Sequence, residues 1–344
     1  MNAKFAYHER LTLDNFTAFS KQTLDFVPGI NVLVGENGTG KTHILKALYA
    51  WQMARHLAEA NRPAKYDALF SETYSVKSLG ELQRAKNRAA TVSGKYGNDE
   101  WSLGFQSVSV TDNGVRPVAS RPVFIPAIEM MAHARNMNGI MRDYADFDRT
   151  CFDFLAMVTA EPSSQGISNL IEDVEVLKKL VPGEVEWSES EQRFYLSEQG
   201  KRLPYSLVAE GMRKVTALHR LVEFNWITPG SVLFWDEPEV NLNPRWMDEV
   251  IEALAHLARS GVQIFLATHS YVILKQIDLT LRAQSKRDKE SVQSRFFALR
   301  KERGVSKAMW ADNFADLEPN SILDQYDQIL AEDWRLSDQE EALA

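Results

Sequence analysis

Eight residues, Gly35-Glu36-Asn37-Gly38-Thr39-Gly40-Lys41-Thr42, constrain this chain more than any other stretch. They read G-x-x-x-x-G-K-T, the pattern of a phosphate-cradling loop. The run Ile30–Val34 before it is apolar and suits a buried strand. After it, Ile44, Leu45, Leu48, Trp51 and Leu57 recur at helical spacing from His43 onward. Strand, glycine loop and helix are the context the pattern needs. Glycines let the backbone wrap a phosphate while the N–H groups of the loop and of the helix start point at it. The candidate binding set is therefore Gly35, Glu36, Asn37, Gly38, Thr39, Gly40, Lys41, Thr42 and His43. Lys41 would reach the terminal phosphates and the Thr42 hydroxyl would ligate Mg²⁺. An ordinary glycine turn is the plainer alternative, and the flanking elements argue against it.

Two further segments have the form of strands that end in chemistry. Val232-Leu233-Phe234-Trp235 runs into Asp236-Glu237. Two carboxylates at the carboxyl end of a buried strand stand where open α/β sheets bind ligands. In a P-loop enzyme Asp236 would hold the metal and Glu237 would polarise an attacking water as general base. Phe265-Leu266-Ala267-Thr268-His269 ends in a histidine, 32 positions after Glu237, which could hydrogen-bond a terminal phosphate. A helix from Ser206 to Phe224 opens near Ala209-Glu210-Gly211, and a glycine-marked helix start is another anion site. It comes too late in the chain to serve the same nucleotide, which suggests a nucleotide held by a second copy. Trp246–Ala258 is an amphipathic helix between the two strands, a βαβ unit.

In this order the motifs resemble those of the ATP-binding-cassette ATPases, and within them the RecF/SMC-type heads and the OLD-like ATPases of bacterial defence. The resemblance covers roughly residues 1–60 and 205–275. It implies an α/β P-loop NTPase head, with a mixed N-terminal sheet, a parallel core sheet and an inserted helical lobe. It makes Gly35–Thr42 the Walker A loop, Asp236 the Walker B aspartate, Glu237 the catalytic glutamate and His269 the switch histidine. Glu239–Pro244 resembles the D-loop. ATP and Mg²⁺ are the implied cofactors. The implied assembly is a homodimer with two ATP molecules sandwiched between heads, open to higher oligomers. Ala209-Glu210-Gly211 stands where the family has Ser-x-Gly, so Ala209 offers no hydroxyl. No Q-loop glutamine is evident; the segment Ile125-Pro126-Ala127-Ile128-Glu129 stands nearest its place, with Glu129 as a candidate. The function this implies is an ATP-driven switch acting on DNA or on a partner nuclease or toxin, in defence or repair. A transporter's nucleotide-binding subunit is the alternative. The altered signature, the missing glutamine and the RecF-like N-terminus weigh against it. A P-loop kinase is weaker still, because Glu237 beside Asp236 suits hydrolysis.

The rest of the chain is less eloquent. Its 344 residues divide by pattern into 1–126 with the P-loop, 127–205 helical plus a hairpin, 206–280 with the later motifs, and a 281–344 extension, all within one head. Residues 65–88 read as mostly helical. Phe16 and Phe19 are candidates for stacking on adenine or for the core. No apolar run approaches the ~20 residues that span a bilayer. With no signal-peptide core in Met1–Arg10, and with Cys151 alone and buried in pattern, the expected compartment is the cytoplasm. Net charge is −8, yet Lys77–Lys95 and Arg282–Lys307 are locally basic, the second holding nine Lys/Arg against three Asp/Glu. Such runs could contact nucleic-acid phosphates or could be solvated surface. Asp312–Glu341 reverses the sign, with ten acidic residues and only Arg335 basic, and its apolar residues could dock a protein partner.

Overall fold

The computed structural model describes residues 5–58, 66–105, 110–111, 120–137, 147–160, 168–287, 292–318 and 321–341. The chain starts with an antiparallel pair, β1 (His8–Phe16) and β2 (Phe19–Asp25), which turns at Thr17. Six consecutive buried residues form β3 (Ile30–Gly35), followed by α1 (Lys41–His56) and α2 (Tyr66–Tyr74). β4 (Ala90–Tyr96), β5 (Asp99–Phe105) and β6 (Val110–Thr111) join the first pair in an antiparallel sheet of order β2-β1-β4-β5-β6.

After β7 (Val123–Ile125) the described residues include the α-helical pieces α3 (Ala134–Met137), α4 (Arg149–Thr159) and α5 (Glu175–Lys178). The hairpin-like stretch is a three-stranded meander of β8 (Glu184–Ser188), β9 (Arg193–Glu198) and β10 (Lys201–Pro204). Gln199 and Gly200, both at positive φ, make the tight turn between its last two strands. The remaining elements are α6 (Glu210–Glu223), β11 (Val232–Asp236), α7 (Met247–Arg259), β12 (Gln263–Thr268), α8 (Tyr271–Arg287), β13 (Ser294–Glu302), β14 (Val305–Ala311) and α9 (Ser321–Glu341).

The core sheet has the order β14-β13-β3-β12-β11-β7, parallel throughout except for edge strand β14. This is the α/β architecture with a parallel core that the motifs imply. Alternation along each strand splits the apolar residues between two faces. Leu33, Phe234, Phe265 and Phe297 face α1 and the antiparallel sheet, whereas Val32, Val34, Leu233, Trp235 and Leu266 pack with α4, α6 and α7. α1 is sandwiched, with twelve of its positions buried, which is why its sequence is apolar on nearly every side.

Two expectations change, and of the two readings left open for Phe16 and Phe19 the structure favours one. Within 65–88 only Tyr66–Tyr74 is α-helical. A short 3-10 turn, Leu79–Leu82, follows, and beyond it the Asn15 side chain holds a loop, donating to the carbonyls of Ala85 (3.0 Å) and Arg88 (2.6 Å) and accepting from Ala85 N–H (2.8 Å). Phe16 and Phe19 are both fully buried, Phe16 against Phe70, Tyr74 and Phe105, so they serve the core. The basic stretch after residue 281 is not simply an extension, since β13 pairs directly with β3. Among the described residues no helix is long and apolar enough to cross a membrane.

His8 is fully buried where the two sheets meet, ringed by Tyr96, Trp51 and Phe265, with Nε2 2.9 Å from the Gln52 amide oxygen. Burial lowers its pKa to about 4. The unfolded chain therefore takes up this proton first as pH falls. The stability His8 supports is complete above its unfolded value and drains away between roughly pH 6.5 and 4. Urea unfolding at pH 7 and 4.5 should differ by about 2–3 kcal/mol through this residue alone. A His8→Phe variant should show a correspondingly shallower pH slope, and identical slopes would remove His8 from the account.

Candidate functional site

The register of the parallel strands decides which residues meet. Val34 pairs with Thr268, and Ala267 pairs with both Leu33 and Asp236, so the ends of β3, β12 and β11 lie abreast. Gly35, Asp236-Glu237 and Thr268-His269 leave the sheet at the same edge. The loop between β3 and α1 stands over it, with Glu36, Asn37 and Gly38 exposed and Thr39, Gly40 and Lys41 buried. Two glycines have no substitute here. Gly40 has φ 96°, and a Cβ would stand 2.8 Å from the Phe19 ring. Gly35 has φ 153°, and a Cβ would meet the Leu299 carbonyl at 2.2 Å.

Thr42, in the first turn of α1, reaches across to β11. Its hydroxyl donates to the Asp236 carboxylate at 2.8 Å. Asp236 is buried, and desolvation, aided by the nearby Glu237 charge, raises its pKa to about 6. A carboxylate that costs so much to ionise, beside a hydroxyl oxygen, is a pair of hard donors suited to a divalent cation. Among the described residues no group of three or more His, Cys, Asp or Glu could cage a metal. Mg²⁺ fits such a site, because it keeps several waters and shares phosphate oxygens.

Lys41 folds back onto its own loop. Its Nζ donates to the carbonyls of Gly35 (2.7 Å) and Glu36 (3.0 Å). Burial holds its pKa below the usual lysine range against the opposing charges of Glu237, Asp236 and Glu239. The loop thus carries a desolvated ammonium among backbone donors, an arrangement that attracts anions.

Glu237 follows β11 with φ 48°, a left-handed backbone that a non-glycine residue adopts only under constraint. Its N–H is anchored on the Ala267 carbonyl at 2.8 Å. The His269 Nδ1 lies 3.6 Å from its carboxylate and 3.5 Å from that of Glu239. Glu239 accepts from the Thr268 hydroxyl (2.6 Å) and from the His269 N–H (3.0 Å). It ties the end of β12 to the turn after β11, a role the sequence reading did not give it. Only the spacing Asp236-Glu237-Pro238-Glu239 beside Thr268-His269 signals it.

Thr42, Asp236, Glu237 and His269 are thus brought together with Lys41. Ala209 and Gly211 sit elsewhere. Ala209 is exposed at the start of α6, with no side-chain cap. Gly211 is buried against the segment after β11, where a Cβ would lie 2.9 Å from the Asn241 carbonyl. In the same turn of α6, Lys214 Nζ donates to the Glu237 carbonyl at 3.4 Å. Glu129, the Q-loop candidate, is buried and ion-paired to Arg213 of α6 at 2.6 Å. It also accepts from the Met131 N–H at 2.6 Å. Burial raises its pKa despite that arginine.

Part of the charge in the basic stretches is paired within the fold. Arg88 pairs with Asp14 (2.7 Å), Lys95 with Glu9 (2.6 Å) and Arg295 with Asp312 (2.6 Å), while Arg300 and Lys307 share Glu302. Cys151 is buried in α4, and burial raises its thiol pKa to about 12, so it is inert packing.

The geometry has known counterparts. A protein family described as "AAA domain, putative AbiEii toxin, Type IV TA system" matches residues 96–275, just over half of the chain, and another described as "AAA domain" matches 10–84. Among curated relatives, the chromosome partition protein Smc of Mycolicibacterium paratuberculosis is 35% identical over 116 residues, covering 33% of this chain and 9% of Smc. The DNA replication and repair protein RecF of Chlorobium luteolum is 31% identical over 122 residues, covering 35% of this chain and 31% of RecF. Both matches therefore span a minor part of the relative. Two solved structures share the fold at low identity. An Smc head bound to the C-winged helix domain of ScpA has TM-score 0.56 at 15% identity, covering 90% of this chain and 98% of that one. The Pyrococcus furiosus Smc head with an extended coiled coil has TM-score 0.55 at 14% identity, covering 95% and 99%.

Removing the Glu239 carboxylate should release both the Thr268 hydroxyl and the His269 N–H. Glu239→Ala should cost about 1–3 kcal/mol of unfolding free energy. Glu239→Gln, which keeps one acceptor in place, should cost less than half as much. Chemical denaturation of the two variants checks this, and equal stability of Glu239→Ala and the parent would deny Glu239 that role.

Proposed function

The chain belongs to the AAA-domain family, as an ABC-type P-loop ATPase of the RecF/SMC class, and from that premise we propose that it is a switch in which ATP closes two copies on each other. One observation carries the reading more than any other. The Thr42 hydroxyl and the Asp236 carboxylate, 194 positions apart in the chain, meet at 2.8 Å across the phosphate loop. The contact satisfies a buried carboxylate and at the same time sets a hydroxyl oxygen and a carboxylate side by side over the phosphate loop.

In this reading the backbone N–H groups of Gly38–His43 and the Lys41 ammonium bind the ATP phosphates. Lys41 gives up its loop carbonyls to do so. Thr42 and Asp236 would hold Mg²⁺, which when bound neutralises charge on the phosphate oxygens. Glu237 takes the proton of the attacking water, its position fixed by the strained backbone and by the N–H bond to Ala267. His269, 43% exposed, faces the terminal phosphate and reports its presence. Glu239 keeps His269 in place.

The second copy enters at α6. Its first turn packs on the segment after β11 of its own chain, so the exposed Ala209 end is presented outward. We assign that end to the nucleotide of the partner head. Because Ala209 lacks a hydroxyl, only N–H groups and the helix dipole act there, which makes the clamp weaker than a serine would. The output of closure is control of DNA binding or of a partner nuclease or toxin. The names of the relatives support the DNA connection. The internal pairing of many basic residues, and the exposed Ile329, Leu330 and Trp334 on α9, favour the protein partner.

Glu237→Gln should bind ATP yet turn it over at least about a hundredfold more slowly, since a general base of this kind contributes about 10²–10⁴. It should also accumulate as a dimer with ATP and Mg²⁺ in light scattering. Lys41→Ala should lose nucleotide binding. A Glu237→Gln protein that binds ATP but stays monomeric would end the two-copy reading. Unchanged turnover in Lys41→Ala would end the site reading itself.

A further inference from the structure

The strand beside β3 brings a lysine to the phosphate loop that no motif marks. β13 runs parallel to β3 with Leu299 opposite Gly35. β3 ends there, but β13 continues for three residues, alongside the loop. Lys301 is the second of these. Its Nζ lies so close to the loop that a Cβ placed on Gly38 would be 3.2 Å from it. Its charge is felt at the His43 ring, on the first turn of α1.

Two basic neighbours of Lys301 on the hairpin, Arg300 and Lys307, both lean on the single carboxylate of Glu302. Among the described residues Lys301 makes no ion pair, and it is exposed. The hairpin therefore carries more positive than negative charge, and Lys301 is the member whose ammonium group stands at the rim of a loop whose exposed residues include Gly38. Gly38 itself has φ 73° and carries no side chain to separate the lysine from the backbone donors.

The sheet order says which part of a ligand Lys301 meets. β13 lies on one side of β3, and β12 and β11 lie on the other. Asp236, Glu237 and His269 all come from that second side. Under the proposed roles of Asp236, Glu237 and His269 the terminal phosphate and metal lie on that second side, which leaves the side of β13 for the nucleoside end of the ligand.

We propose that Lys301 is a nucleotide-binding residue that contacts the phosphates nearest the nucleoside, those that ATP and ADP share. The assignment rests on the nucleotide reading of the phosphate loop. It follows that Lys301 holds the product as well as the substrate, and that its contribution does not depend on the terminal phosphate. A charge-assisted contact at an exposed position corresponds to about a five- to twentyfold change in affinity.

The test is equilibrium binding of fluorescent ATP and ADP analogues to the full chain, with parent, Lys301→Met and Lys301→Arg proteins. Lys301→Met should weaken both nucleotides by a similar factor of about five to twenty, and its ADP affinity should fall less steeply with added salt. Lys301→Arg should recover most of the loss. The side chain is exposed, so thermal unfolding of the variants should match the parent. ADP affinity unchanged in Lys301→Met would overturn the proposal, as would a loss confined to ATP. A parent protein that binds neither nucleotide would overturn the phosphate-loop reading, and this assignment with it.

Discussion

The parallel pairing of β3, β12 and β11 is the constraint on which the rest depends. Each strand is apolar on both faces, so its register is fixed twice over. A slip of one residue would put Phe234 where Trp235 sits and turn Asp236 away from Thr42. The burial that locks the strands also fixes where they stop. The polar residues at their ends, Gly35, Asp236-Glu237 and Thr268-His269, are gathered by the packing of side chains that never touch a ligand.

Electrostatics at that edge are unbalanced by design of the backbone rather than by any one pair. Asp236, Glu237 and Glu239 lie within a few residues of one another, opposed by Lys41 and Lys214, whose pKa values burial lowers. Among the described residues neither lysine forms a direct ion pair. Both donate instead to backbone carbonyls, Lys41 to its own loop and Lys214 to Glu237. Carbonyls hold an ammonium less tightly than carboxylates do. The ammonium groups are parked where a stronger acceptor can draw them away, at little structural cost.

Much of this was legible before any coordinates. The P-loop with its flanks, the strand into Asp236 and the strand into His269 announce themselves by apolar runs that end in chemistry, and these runs became β3, β11 and β12. Register is what the one-dimensional text withholds. Nothing in it says that Glu239 reaches Thr268, that Glu129 reaches Arg213, or that Leu299 lies opposite Gly35. The stretch after residue 281 misled because its charges are conspicuous. The run Phe296-Phe297-Ala298-Leu299 within it has the look of a buried strand, and burial, not charge, decides its place. Residues 75–88 misled in a different way, since their conformation depends on distant partners, among them the Asn15 side chain and the Phe105 carbonyl.

The Glu129–Arg213 pair joins the segment after β7, the edge strand beside β11, to the first turn of α6. Both side chains are largely withdrawn from water. Removing one partner alone would leave its mate charged in a dry interior, so the pair acts as a rivet between the sheet edge and the start of α6.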